Sequence, residues 1–374
     1  PPPPDKPEPS PCPADANCTD VSIFDGYYSY CPVFVDIDED GRWSENEPIS
    51  VSDAYGQVHI ESTSESIDSA TLIMDPELLW AVKERGLVDG VNDELCIDAF
   101  TGARPVGRLT APAGSTVVNP LTTLVVALAE EGGLQMEDAE WSVKSSLGIP
   151  LDVDVGHYDA IRGVVSGDAA STGDAATAAK TLAALTSVNN VVANIGGLLA
   201  GSGDDDSAAA TQEAAKQAFL SVARATVPDD PTATQYVPRR VDLGSAEEVV
   251  RAARDAFASA GGEPADEELL ATVGAIASEL NRKISESAAS SEGLQLLEEV
   301  SGAGRVAQVE VAGQVRAVSR SASDSRRAGG EVGLADAAAA DELRSLASPG
   351  GVDVLLDDAS SNVLVVLPPS PPGS

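Results

Sequence analysis

Twelve residues, DIDEDGRWSENE from Asp36 to Glu47, restrict what this chain can fold into more than any other stretch. Asp36, Asp38 and Asp40 stand at the first, third and fifth positions of a calcium loop, Gly41 at the sixth, Ser44 at the ninth and Glu47 at the twelfth. A hard divalent cation takes about six to eight oxygens. This spacing curls the backbone so that three carboxylates, the Arg42 carbonyl, a water held by Ser44 and a bidentate Glu47 converge, with Gly41 permitting the sharp turn. The expected cofactor is therefore Ca2+. The competing reading is an acidic surface turn, in a chain with 60 Asp plus Glu against 23 Lys plus Arg. Such a turn needs neither a glycine at the bend nor a glutamate at the end.

The residues around the loop are unlike those of a helix-loop-helix hand. CPVFV, Cys31 to Val35, is β-branched and aromatic, and Pro48 follows directly, so the sequence predicts strands on both sides. The run VFVDIDEDGRWSENEPISVSDAYGQVHI resembles the calcium-loop β-modules of bacterial surface proteins, in which a strand, a DxDxDG loop ending in Glu-Pro and an Asp-x-x-Gly turn, here Asp53 to Gly56, follow one another. Further on, Gly107 to Ile161 is similar to the helical segment that follows such a module in large secreted repeat proteins and adhesins. The resemblance implies an extracellular, calcium-stabilised architecture without catalytic activity. The ends, PPPPDKPEPSPCP and PPSPPGS, read as extended polyproline spacers. In composition they resemble the hydroxyproline-rich glycoproteins of green-algal walls and flagellar hairs (mastigonemes); a plain linker is the other reading.

The expected fold is α+β. A proline-rich linker (1–18) leads into a small antiparallel β-sandwich carrying the loop (19–115), where short apolar runs such as VSIF, YYSYCPVFV and ATLIM alternate with turn residues. PELLWAVKERG, Pro76 to Gly86, predicts a short helix inside it. From 116 to 347 the period changes to three and four. Helices are expected after Asn119-Pro120, over Met136 to Leu147, from about Asp174 to Leu199, over Ser207 to Thr226, from Ser245 with a capping box to Glu248, over Asp266 to Ser287, and from Ser291 to about Ser321. Ser319 to Gly333 reads as a loop, Leu334 to Ala347 as a short helix. The last segment (348–374) is expected to be a hairpin, Val352 to Leu356 with Val363 to Leu367, before the final spacer. Aromatic residues make up only 4%, so the core must be built from Ala, Val and Leu.

A net charge of -37 argues against nucleic acid and against anionic membrane surfaces as partners. No run of 18 apolar residues occurs, which predicts no membrane insertion, and a secreted chain would need a signal upstream of Pro1. Cys12, Cys18, Cys31 and Cys96 all fall in the first hundred residues and predict two disulfides, with three connectivities open. Asn17-Cys18-Thr19 is an N-glycosylation triplet. His59 reads as a strand surface residue. Asp152, Asp154 and Asp159 around His157 lack a glycine turn and a closing glutamate, so a solvated loop is preferred to a second cation site. Asp204 to Asp206 read as charge at a helix start. No nucleophile elbow, metalloprotease helix or phosphate loop is present. The expectation is a non-enzymatic structural module of an extracellular surface or filament glycoprotein, whose partners are other modules of the same long protein or fibre. The alternative is an adhesin-type module gripping a glycan or a protein, for which Tyr27, Tyr28, Tyr30 and Trp43 are the one candidate aromatic cluster, although core packing is the preferred reading of them.

Overall fold

The computed structural model describes residues 17–62, 69–88, 95–166, 174–203, 205, 207–227, 238–262, 265–327, 337–361, 363 and 365. The proline-rich ends, with Cys12, lie outside that set.

Strand order follows from which runs are apolar on both faces. β1 (Asn17–Ile23) and β5 (Gln57–Ser62) pair antiparallel, β5 turning Val58, Ile60 and Ser62 inward while Gln57, His59 and Glu61 alternate outward. After β2 (Tyr28–Ser29) comes β3 (Pro32–Asp36), which is buried at all five positions and lies between β4 (Ile49–Val51) and β6 (Thr71–Met74). Its apolar run is long enough to cover both faces, as a central strand requires. β7 (Ile97–Asp98) pairs with β2, β8 (Leu109–Ala111) closes the four-stranded sheet beside β6, and β9 (Val117–Val118) joins β1. That last pair is parallel, because β9 returns to the sheet from the far side rather than through a hairpin. The two larger sheets meet where β4 touches β5 and β8 touches β9. A disulfide ties Cys31, just before β3, to Cys96, just before β7.

The helices begin where the sequence supplies caps. Pro76–Leu78 is a 3-10 turn capped by Asp75 and continues into α1 (Leu79–Glu84). α2 (Pro120–Gly132) starts on Asn119, whose side chain accepts from the Leu121 and Thr122 N–H groups while its own N–H donates to Thr122 Oγ1. α3 (Met136–Leu147) and α4 (Ala160–Ser166) lead to α5 (Ala175–Ser202). Around α5 pack α4, α6 (Ala208–Ala225), α7 (Ala246–Ala260), α8 (Glu267–Ser290), α9 (Gly293–Arg305) and α10 (Ala312–Arg327), the last two joined by a π-helical turn, Val306–Val311. α11 (Ala337–Leu346) and α12 (Asp353–Ser361) complete the chain. One buried core runs from the sheets into the bundle.

Close approach to α5 depends on small residues. A Cβ on Gly197 would lie 2.8 Å from the Ala312 carbonyl oxygen, and one on Gly201 would collide with the Arg316 carbonyl. α5 is also the one helix among the described residues that is long and apolar enough to cross a membrane, at a mean hydropathy of 1.4, and 89% of that window is buried inside the protein.

Four expectations are corrected. Ser319 to Gly333 is not a loop at its start. α10 runs to Arg327 because Val315, Val318 and Ala322 make a narrow apolar stripe, and Ser319 and Ser323 donate to the Leu198 and Ser202 carbonyls of α5. The helix expected from Ser291 is interrupted by the π turn. The first strand of the C-terminal hairpin is α12, which Lys283 anchors through Asp353 at 2.8 Å; of the second strand only Val363 and Val365 are described, and neither is in a strand. The capping box at Ser245 does not form: its side chain makes no cap bond, its N–H donates to the Asp242 carbonyl, and the Glu248 carboxylate is held by Arg239 and Arg251.

Candidate metal centre

The acidic loop leaves the end of β3 and bends twice into the left-handed region, at Glu39 (φ 60) and at Gly41 (φ 71). These bends bring one carboxylate oxygen each of Asp36, Asp38 and Asp40 within 4.8 Å of one another. Asp36 is 4% exposed; its Oδ2 accepts from the Gly41 N–H at 2.9 Å, and its Oδ1 is buried without a hydrogen-bond partner. Asp38 and Asp40 lie at the surface, Asp40 accepting from the Arg42 N–H at 2.7 Å. Burial pushes the Asp36 carboxyl above its ordinary value, the Gly41 N–H works against that, and the Glu47 charge adds to it.

Glu47, also 4% exposed, stands apart from the three-aspartate set and braces the loop ends. Its Oε1 accepts from the Ile37 N–H at 2.7 Å and its Oε2 from the Ser44 N–H at 2.8 Å. Each carboxylate oxygen has two lone pairs, so these bonds leave capacity for a cation. The donor set is all oxygen, which suits Ca2+ or Mg2+ rather than a softer metal. The orphaned Asp36 Oδ1 is the feature of the loop that a cation would satisfy.

The loop is fastened to its surroundings from two sides. Arg108, between the sheets and the bundle, donates from Nη1 to the Gly41 carbonyl at 3.0 Å and pairs through Nη2 with Asp75 at 2.6 Å. Trp43 packs edge-on against Trp80 with centroids 6.1 Å apart, under the Arg85 guanidinium at 4.8 Å. The Asp53 turn beyond β4 has the expected form: Asp53 Oδ1 accepts from the Tyr55 and Gln57 N–H groups, and Gly56 takes φ 71.

The other sequence candidates do not gather into sites. His59 contacts Asp20 at 2.8 Å on the sheet surface, and His157 lies between Asp154 and the Gly114 carbonyl. Asp159 is half-buried and accepts from the Tyr27 hydroxyl at 2.7 Å, and desolvation raises its carboxyl. Asp205 accepts from the Ser207 N–H ahead of α6, whereas Asp204 and Asp206 fall outside the described residues. Tyr27 and Tyr28 are core residues, as the core-packing reading of the aromatic cluster has it, whereas Tyr30 is 40% exposed. Cys18 is disulfide-bonded, and Asn17 is exposed at the start of β1.

One cluster gave no sequence signal. Asp25 and Asp98 are 7% and 1% exposed and face a cavity of about 10 Å³ where the sheets meet α5 and α9. Asp25 Oδ2 accepts from Asn189 at 2.6 Å and from Gln308, on the π turn, at 2.7 Å; Asp98 Oδ1 accepts from the Phe100 and Thr101 N–H groups. Burial and the neighbouring Asp98 push Asp25 up to about 7, and burial pushes Asp98 up to about 6. Nothing in FDG or CID marks these two aspartates as neighbours; only the pairing of β2 with β7 brings them together.

No family model, no curated protein and no solved structure matches this chain. Its function is argued from geometry.

Proposed function

We propose that this chain is a non-enzymatic structural module of an extracellular surface or filament protein, stiffened by Ca2+ in the Asp36–Glu47 loop and spaced from its neighbours by polyproline. The observation that carries the reading is the buried, unpartnered Asp36 Oδ1 beside the carboxylates of Asp38 and Asp40, in a loop whose ends Glu47 holds together. Asp36, Asp38, Asp40 and Glu47 would bind the ion, with the Arg42 carbonyl and a Ser44-held water completing the set. The ion supplies charge neutralisation: three clustered carboxylates repel one another until a cation sits between them. The Cys31–Cys96 disulfide supports an oxidising compartment, where calcium is abundant and an unregulated weak site stays filled. Glycosylation of Asn17 and attachment to further modules belong to the same proposal.

The test is calorimetric and thermal. At about 1 mM Ca2+, ten times the Kd of a tenth-millimolar site, binding should add about 1.4 kcal/mol to folding stability. Asp36→Asn should abolish that gain while melting close to the wild type in metal-free buffer, whereas Glu47→Gln should abolish it and also melt lower without metal, because its amide nitrogen cannot accept from the Ile37 or Ser44 N–H. Identical wild-type melting with and without calcium, and no heat of binding, would sink the proposal.

A further inference from the structure

Beside the loop runs an open groove of about 880 Å³, between the Pro76–Leu78 turn, the 104–108 segment and α6. The polar groups along it are engaged with one another or with the backbone. Asp75, 1% exposed, pairs through Oδ2 with Arg108 at 2.6 Å and accepts through Oδ1 from Gln212 at 2.8 Å. Thr211 donates to the Ser207 carbonyl, Arg104 and Arg316 have partners of their own, and Glu77 lies close enough to Asp75 and Arg108 for both to act on its carboxyl. What the walls leave uncommitted is apolar. Pro76, Leu78, Pro105 and Val106 are only half-buried, and Trp80 is 55% exposed, although a large indole left in water forgoes its burial energy. Among the described residues the Trp80 indole N–H has no acceptor. Trp43 braces that indole, meeting it edge-on with ring centroids 6.1 Å apart. The groove is held in shape at α6, since a Cβ on Gly107 would lie 2.6 Å from Ala215 Cβ.

We propose that this groove is a polyproline II dock and that its occupant is the chain's own Pro368–Pro372, PPSPP. The walls select a neutral ligand: the cations are paired, and the field of a chain carrying -37 opposes an anion. Polyproline II suits what remains in two respects. Its rings are apolar and its conformation is set before binding, so docking on an exposed aromatic costs little ordering entropy. Its carbonyls have no internal hydrogen bonds, and the Trp80 N–H can donate to one of them. The chain reads as polyproline at both ends, but Pro1–Pro13 includes Asp5 and Glu8. PPSPP is uncharged and, at three residues per turn, sets Pro368 on one line with Pro371 and Pro369 with Pro372. The tail also starts close by. α12 packs against α9 and the π turn, and from that turn α10 runs on to Arg316, about 8 Å along its axis. Arg305, at the end of α9, donates to the Thr101 carbonyl, three residues before Arg104. Pro368 follows the end of α12 at Ser361 by seven residues, which span up to about 23 Å when extended. The assignment deepens the polyproline part of the proposed function, making the segment an attachment as well as a spacer. It does not rest on the cation reading of the loop.

The experiment follows the indole N–H resonances of the full chain, that of Trp80 being the one missing from Trp80→Phe. In a tail variant carrying Pro368→Ala, Pro369→Ala, Pro371→Ala and Pro372→Ala, the Trp80 resonance moves and that of Trp141 stays. The peptide LPPSPPGS returns it to the wild-type position and gives a heat of binding, whereas LAASAAGS does neither. Wild type needs about tenfold more peptide or beyond, because its own tail competes at high effective concentration. Trp80→Ala in the tail variant removes peptide binding, and Trp80→Phe, which keeps the aromatic face and loses the N–H, weakens it. Leu151→Ala trims another exposed apolar residue, far in sequence from the groove, and leaves affinity unchanged. No binding of LPPSPPGS, equal binding of the alanine peptide, or an equal loss in Leu151→Ala overturns the dock. Sedimentation decides whose tail is bound: a wild type that stays monomeric supports the chain's own, and one that dimerises through the prolines overturns that assignment. The measurements run without added calcium, so their failure leaves the cation reading standing and returns the tail to a plain spacer.

Discussion

Replacing Asp25 by Asn should make the protein less sensitive to rising pH, and the size of the effect follows from the buried pair. Asp25 accepts from Asn189 and Gln308 through one oxygen and leaves the other unpartnered, with Asp98 close by. The only ordinary compensation for such a group is a proton, and Asp25 and Asp98 hold theirs up to about 7 and about 6 against an ordinary value of 3.8. Tyr28, which shares Asn189 with Asp25, stays neutral because burial and both carboxylates raise its hydroxyl. The groups bind protons more tightly folded than unfolded. Their contribution is therefore complete below the unfolded value near 3.8 and is lost as pH rises through 6 and 7. With each tenfold in proton affinity worth about 1.4 kcal/mol, the loss between pH 5 and 8 is about 2–4 kcal/mol, at the lower end if the pair shares one proton. At about 2.1 cal/mol/K per residue of unfolding entropy, that is roughly 3–5 °C in Tm for a chain of this length. Asn keeps the acceptor for Asn189 and Gln308 and presents N–H donors in place of the orphaned oxygen, imitating the protonated acid. Melting curves of both chains at pH 5 and 8 would measure this, the many other carboxylates cancelling in the difference. If both lose Tm in parallel, the pair ionises normally and the reasoning fails.

Three further outcomes follow from the packing. Cys31→Ser with Cys96→Ser opens a crosslink spanning 65 residues, whose loop-closure entropy is worth about 4 kcal/mol, so the midpoint in urea should fall while the far-ultraviolet helical signal persists at low denaturant. Gly197→Ala sets a helix-propensity gain of about 1 kcal/mol against about 1–3 kcal/mol of overpacking on the Ala312 carbonyl, and should destabilise. Gly313→Ala meets no atom within 4 Å on the same pair of helices and should stabilise by about 1 kcal/mol; if both substitutions move the midpoint alike, backbone contact between α5 and α10 is not what limits Gly197.

Much of the fold is legible from local chemistry. The Asn119-Pro120 start, the glycine after Leu147 and the alternation in QVHIES each act over a few residues, and the structure follows them. The gathering of Asp36, Asp38 and Asp40 is legible for the same reason, since their alternate spacing around Gly41 is a local constraint. The misreadings arise where short polar residues are buried. Ser319 and Ser323 looked like loop residues, yet in α10 each hydroxyl reaches a carbonyl of α5, so a serine-rich stretch closes a helix interface. VDVLLDD has the β-branched start of a strand, yet it folds as α12 and packs against α9. The Asp25–Asp98 pair is a product of long-range topology, joining residues far apart in sequence, and no local pattern encodes it.

The polar residues inside α5 explain how a bundle with so little side-chain bulk holds one arrangement. Alanine faces pack closely but discriminate weakly between registers, because sliding one smooth face along another changes little buried area. Asn189, Asn190 and Asn194 lie at 1% exposure or less on a helix whose apolar positions alone would seem to account for it. Asn190 donates to Asn281 on α8 at 3.3 Å, Asn281 donates onward to the Leu243 carbonyl at 3.0 Å, and Asn189 donates to Asp25 beside the sheets. A shift of α5 by one turn against α8 or the sheets would strand these amides in the core, at about 1–3 kcal/mol for each unsatisfied group. The Ala-rich surfaces therefore permit the close approach, and the asparagines select which of the permitted approaches is the native one.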